Sequence, residues 1–258
     1  MLACKRRGAA TVLAGLRTSG CLKLLFPRMS EPAQTAVLLN TAGGITGGDS
    51  LRFEAEAGSK AHLRLTTQAA ERVYKAQPGE VGTVEARLTL TAGSRLDWLP
   101  QETILYDKGA LHRSLRADLA ADARLLLVEP LIFGRAAMGE RVHQISLHDQ
   151  LRIYRDDALV FADTLRLHGD LHAQMQRKAI GDGAGAMASA LLVSDAGECE
   201  TLLPRLRALL PDTAGASILR PGVLFLRALA PDSFLLRRDL IPALTLMNGA
   251  DLPRTWMI

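Results

Sequence analysis

Leu51-Arg52-Phe53-Glu54-Ala55-Glu56-Ala57-Gly58-Ser59-Lys60-Ala61-His62-Leu63-Arg64-Leu65-Thr66 decides how this chain folds. On either side of Ala57-Gly58-Ser59, apolar side chains recur at every second position. A period of two turns one set of side chains to a buried face and the other to solvent, which is the pattern of a half-buried strand. Glycine at the break supplies backbone angles that other residues resist, so the stretch reads strand, turn, strand. Val84-Glu85-Ala86-Arg87-Leu88-Thr89-Leu90 alternates in the same way and stops at Thr91-Ala92-Gly93-Ser94. Leu125-Leu126-Leu127-Val128 is apolar throughout and predicts a strand covered on both faces. The same theme runs from Ala10 to about Phe161. Short strands punctuated at regular intervals suggest a sandwich, a barrel or a solenoid.

After Gly185 the texture changes. Met187 to Val193 and Val223 to Leu229 still read as strands. Glu200 to Leu210 predicts a helix, with Leu202, Leu203, Leu206, Leu209 and Leu210 on one stripe and Pro204 either in the first turn or at a bend. A second helix is expected from Pro231-Asp232-Ser233 to about Met247, ending at Asn248-Gly249, with Pro242 interrupting its second half. With no linker and no internal repeat, residues 1–258 read as a single, mainly β domain with about two α-helices in the C-terminal third.

At 48% hydrophobic and 22% charged residues, the chain can bury a core and lacks the composition of a disordered protein. Its 31 basic and 27 acidic residues are interspersed, which leaves a net charge of +4 without a basic tail. Lysine occurs only six times, so arginine, the cation favoured at interfaces, dominates. Phe, Tyr and Trp make up 4%, and Phe53, Trp98, Phe133 and Phe225 sit among apolar neighbours. Stacking platforms for single strands are therefore missing, and nucleic acid is a poor partner. Cys4, Cys21 and Cys199 form no CxxC, which fits a reducing cytoplasm. Lys5-Arg6-Arg7 before Gly8 to Leu16 imitates a short export signal, but Thr11 to Arg17 reads equally well as a strand. No apolar run approaches the ~20 residues that span a bilayer, so no membrane partner is expected.

Leu38-Leu39-Asn40-Thr41-Ala42-Gly43-Gly44-Ile45-Thr46-Gly47-Gly48-Asp49 invites comparison with a phosphate loop. It lacks Gly-Lys-Ser/Thr, and a strand follows where a helix should begin, so a tight strand-to-strand connection is expected. Gly181-Asp182-Gly183-Ala184-Gly185-Ala186 fits GxGxxA, yet polar Gln174 to Lys178 precedes it where a first strand should be, so it reads as a loop. His168 and His172 would share a helix face, but Gly169 and the alternating Leu165-Arg166-Leu167-His168 argue for a strand that keeps them apart. His143 and His148 differ in parity and are expected on opposite strand faces. No GxSxG and no cysteine with a neighbouring base appears. Asp97, Glu102, Asp107 and Glu129 lie among apolar segments, where a charge must be paired or wetted. They read as a general acid/base pair of a small-molecule hydrolase, as arginine-paired structural acids, or as polar lining of a water-filled passage.

The same segments resemble the UreD family, also called UreH. Asn40-Thr41-Ala42-Gly43-Gly44-Ile45-Thr46-Gly47-Gly48-Asp49 is similar to its NxxGGxxGGD element, and Thr66-Thr67-Gln68-Ala69-Ala70-Glu71-Arg72-Val73-Tyr74 to its TTQAAxKVY element, with Arg72 at the usual lysine. Trp98-Leu99-Pro100-Gln101-Glu102-Thr103-Ile104 matches WLPQETI. Glu129, Gly134-Arg135 and Gly139-Glu140 follow the family's E, GR, GE succession, and Pro253-Arg254-Thr255-Trp256 its closing PRxW. The lead-in before the first strand is shorter than is usual in the family.

The resemblance implies a β-helix-like, two-layered body with a pair of helices, and a non-catalytic urease maturation factor. It implies assembly with UreF and, through it, with the GTPase UreG, and then with apo-urease subunits, to which nickel(II) in transit passes through an internal passage. No tightly bound cofactor is expected. A route of this kind needs oxygens that hold a cation loosely, since a histidine or cysteine cluster would trap it. The polar members of the matched motifs, Asp49, Thr67, Gln68, Glu102, Asp107 and Glu129, are the candidates for its lining. A stand-alone nickel store would instead require tight stoichiometric metal binding by this chain.

Overall fold

A computed structural model describes residues 1–28 and 31–257. In chain order the strands are β1 (Leu2–Arg7), β2 (Ala10–Leu16), β3 (Leu22–Leu25), β4 (Gln34–Asn40), β5 (Ser50–Ala57), β6 (His62–Thr67), β7 (Glu71–Val73), β8 (Gly82–Leu90) and β9 (Arg95–Leu99). They continue with β10 (Thr103–Leu105), β11 (Gly109–Leu119), β12 (Arg124–Phe133), β13 (Ile145–Arg155), β14 (Ala158–Gly169), β15 (Ala186–Val193), β16 (Ala214–Arg220) and β17 (Val223–Ala230). The helices are α1 (Leu171–Met175), α2 (Ala196–Arg207) and α3 (Ser233–Asn248).

The chain passes back and forth between two sheets. β4, β6, β9 and β12 stack in parallel in one, and β5, β8, β11 and β13 stack in parallel in the other. Each coil therefore contributes one strand to each sheet, which makes the body a β-solenoid. A third, narrow parallel ladder of β7, β10 and the end of β12 closes one side, with Ile45 bridged to Val73. Antiparallel strands finish the sheets, giving the orders β14-β13-β11-β8-β5-β1-β2 and β16-β17-β15-β12-β9-β6-β4-β3. Among the three architectures that alternation allowed, the parallel stacking selects the solenoid.

Alternation sorts the side chains of β5 as the sequence predicts, whereas β6, expected to be half-buried, is buried on both faces, with Arg64 and Thr66 each 2% exposed. Phe53, Ala55 and Ala57 turn inward from β5, and Leu63 and Leu65 from β6, into a core shared with Leu88, Leu90, Leu125 and Leu127. Leu126 and Val128 face the other way, into a second core beneath α2 and α3. The all-apolar run of β12 is thus covered on both faces, by the opposing sheet and by the helices. A third cluster, including Ile45, Val73, Leu105, Leu111 and Leu147, fills the side nearest the short ladder.

Both expected helices form, joined by the five-residue α1. α3 begins where Asp232 accepts the Leu235 N–H and ends at left-handed Gly249, running through Pro242. α2 departs from the expectation. It starts at Ala196, because the Asp195 side chain accepts from Gly197 and Glu198, so Pro204 lies in its C-terminal half and Leu209 and Leu210 fall beyond its end. Leu209 is consequently half-exposed, and only part of the leucine stripe reaches the core. No described helix is long and apolar enough to cross a membrane.

Candidate functional site

The glycine-rich segment of residues 41–49 is a connection from β4 to β5, wrapped around the loop that follows β7. Ile45 N–H donates to Arg72 O at 2.7 Å, Tyr74 N–H to Ile45 O at 2.8 Å, and Gly48 N–H to Val81 O at 3.2 Å. Its glycine pairs have divided roles. Gly43 and Gly48 adopt φ near +82°, while a Cβ on Gly44 would lie 2.2 Å from the Tyr74 ring and one on Gly47 would lie 2.5 Å from Glu80 Cβ. Two residues turn the chain and two let it approach its neighbour. Asp49 completes the turn by accepting the Thr46 N–H at 2.9 Å.

A row of cavities runs from the ends of β3, β4 and β6, where the first one opens, into the space between the sheets. The outermost, of about 260 Å³, is lined by Asn40, Thr67, Gln68, Glu71 and Arg72. Thr67 and Glu71 also line the next, of about 100 Å³, together with Trp98, Gln101, Thr103, Arg113 and Glu129 among apolar residues. Glu129 lines a third, narrower space of about 10 Å³ with Asp149, Asp163, Ser189 and Arg227. Neighbouring cavities thus share wall residues, and a polar group stands at each junction. The buried amide Nε2 of Gln101 has no hydrogen-bond partner among the described residues, which makes water a natural occupant of the middle cavity.

Arg113 reaches from β11 into the junction between the second and third spaces. It contacts Glu129 Oε2 at 2.6 Å, Asp149 Oδ1 and Oδ2 at 2.9 and 2.5 Å, and Thr103 Oγ1 at 3.2 Å. Trp98 Nε1 donates to the other oxygen of Glu129 at 2.8 Å. Burial raises the Glu129 carboxyl above its ordinary range, and the nearby Asp149 adds to this against the pull of Arg113. Burial alone would lower the Arg113 guanidinium, but Asp149 and Glu129 outweigh it and hold the proton more firmly than usual.

The candidates from the sequence separate into two groups. Thr67, Gln68 and Glu129 line the row of cavities. Asp49, Glu102 and Asp107 are engaged elsewhere: Glu102 accepts from Arg237 of α3 at 2.8 Å, and Asp107 accepts the His143 and Gln144 N–H groups at 2.8 Å. Asp97 is sealed among His62, Arg95, Arg64 and Arg124. The arginine-paired reading therefore describes Asp97, Glu102 and Glu129, and backbone amides take the place of arginine at Asp107. Arg113 and Asp149 were missed, although a legible signal existed. Each is a charge in the buried phase of its strand, between Leu111 and Leu115 and between Leu147 and Leu151.

His168 and His172 are divided as expected, one ending β14 and the other in α1 after left-handed Gly169. His143 corrects the parity argument. It precedes β13 and is not on that strand, and its ring packs edge-on against His172 at 5.9 Å. Gly181 to Gly185 lie in the turns leading to β15. Among the described residues no group of three or more His, Cys, Asp or Glu could hold a metal ion. An open cleft of about 640 Å³ carries Lys75, Glu80 and Lys108 on loop segments and His168 near the end of β14. None of these forms an ion pair among the described residues, and Ser146, which also lines the cleft, is the cross-strand neighbour of His168 in the pairing of β13 with β14.

Comparison with known proteins finds matches along nearly the whole chain. The family described as UreD urease accessory protein matches residues 1–257. A protein of Ruegeria pomeroyi named urease accessory protein UreD is 49% identical over 257 residues, covering 100% of this chain and 99% of its own length. Proteins of the same name from Roseobacter denitrificans and Sinorhizobium medicae are 47% and 45% identical, over 98% and 100% of this chain and 92% and 94% of theirs. A match of this extent identifies the chain as a member of the UreD urease accessory protein family.

Proposed function

We propose that this chain serves urease maturation as a non-catalytic scaffold that acts with UreF and the GTPase UreG in the cytoplasm and passes nickel(II) to apo-urease through the hydrated space between its sheets. The relatives' shared name supports the maturation role. The observation that carries the transit route is the row of cavities joined at Thr67, Glu71 and Glu129. Oxygen ligands spaced along a wet path suit a borderline cation that must bind weakly enough to leave each point. Thr67, Gln68 and Glu129 are the residues from the sequence that take this part. Asp49, Glu102 and Asp107 hold loops and α3 in place around it. A non-catalytic role is supported by the relatives' shared name, that of an accessory protein.

The test is co-expression of the urease subunits and remaining accessory proteins with and without this chain. Omission is expected to lower the nickel content and the activity of the urease together. A urease equally loaded and equally active without the chain overturns the reading.

A further inference from the structure

We propose that Arg113 is the resident counter-ion of this route, holding the Glu129–Asp149 pair at a net charge of minus one so that a passing divalent cation is bound loosely and released. The inference rests on the transit function proposed above and adds to it the residue that sets residence time at the narrowest point.

Stoichiometry and place set this cluster apart from an ordinary buried ion pair. One guanidinium serves two carboxylates, with Nη1 on Glu129 at 2.6 Å and a two-pronged grip on Asp149 at 2.9 and 2.5 Å. A bidentate arginine already satisfies one carboxylate, so the second leaves a surplus negative charge. Glu129, which keeps that surplus, borders both the middle cavity and the narrow one beyond it. Nearby, Nε2 of Gln101, which has no partner among the described residues, supplies a donor for water. A surplus charge at a wet junction attracts a cation. Two bare carboxylates at the same point would hold one fast, because attraction strengthens where the surroundings are poorly polarisable. The adjoining Asp163 is balanced one-to-one by Arg227 and adds no surplus.

A charge series tests this, with every variant purified as the complex with its accessory partners and exposed to nickel chloride. Arg113→Gln raises the surplus to two. It is expected to retain nickel through dialysis, where wild type does not, and to lower urease activation. Arg113→Lys and the double variant Arg113→Gln/Glu129→Gln keep the surplus at one and are expected to release nickel on dialysis as wild type does and to activate urease better than Arg113→Gln. Glu129→Gln alone removes the surplus, and is expected to slow activation without retaining metal.

A folded Arg113→Gln chain that holds no more nickel than wild type overturns the inference. So does a double variant that remains as impaired as Arg113→Gln. Should Arg113→Gln fail to fold, Glu129→Gln decides, since normal activation by that variant also overturns it. Nickel retention by Arg113→Gln with activation unchanged in every variant upholds the charge balance and instead refutes the transit route.

Discussion

Asp97 shows what a single carboxylate costs and returns when it is fully buried. Burial would raise its pKa, but His62 Nε2 at 2.7 Å and Arg95 Nε at 2.9 Å hold it well below the usual carboxylate range. Arg64 and Arg124 add charge from 3.7 and 3.9 Å. A folded-state pKa below the unfolded value of ~3.9 contributes stability that is present above that pH and lost as pH falls below it. Melting temperature should therefore drop on acidification below pH ~4. Asp97→Asn should cost about 3 kcal/mol at neutral pH, because it leaves buried cations uncompensated, and its melting temperature should depend less on acid. Thermal melts across pH check both. Gly44 presents a steric case. A Cβ there meets the Arg72 carbonyl oxygen at 2.8 Å as well as the Tyr74 ring, and that oxygen already accepts from Ile45. The ring can swing aside but the carbonyl cannot, so Gly44→Ala should cost about 1–3 kcal/mol in urea unfolding.

Among the elements, α3 owes its limits to local chemistry and its position to one side chain. Asp232 and Gly249 set its ends, while Leu236, Leu240, Ala243, Leu244 and Met247 bury its inner face. That burial carries the helix through Pro242, where propensity alone would break it. Arg237 then fastens it: Nη1 donates to Gln101 Oε1 at 2.7 Å and Glu102 Oε1 at 2.8 Å, and Nη2 to Trp256 O at 2.7 Å. Three segments far apart in sequence meet on this guanidinium. Arg237→Met should cost about 3 kcal/mol by leaving Glu102 buried without a partner, and the added change Glu102→Gln should recover part of the loss. Chemical denaturation of the single and double variants checks it. Equal stability of the single and double variants would show that packing, not the ion pair, dominates.

For the molecule as a whole, the solenoid leaves space between its sheets where a small inward residue, Ala86, stands in place of a larger one that would close it. Ala86→Leu should fill part of the middle cavity, preserve folding and assembly, and reduce urease nickel content and activity several-fold. Activation at the wild-type level with the complex intact would argue against passage between the sheets. The alternation from Leu51 to Thr66, the doubly covered run of β12 and the ends of α3 could be read directly, since each depends on contacts a few residues apart. The start of α2 was misread where Asp195, outside the leucine stripe, set the cap. The meeting of Arg113, Asp149 and Glu129 could not be read from local patterns at all. Arg113 and Asp149 are lateral partners in the parallel pairing of β11 with β13, and Glu129 approaches from the opposite sheet. A period of two fixes which face a residue takes, so the sequence by itself determined the strands and their buried sides. Which buried charges face one another depends on how the coils register and how two sheets pack across their gap, and only the tertiary structure decided that.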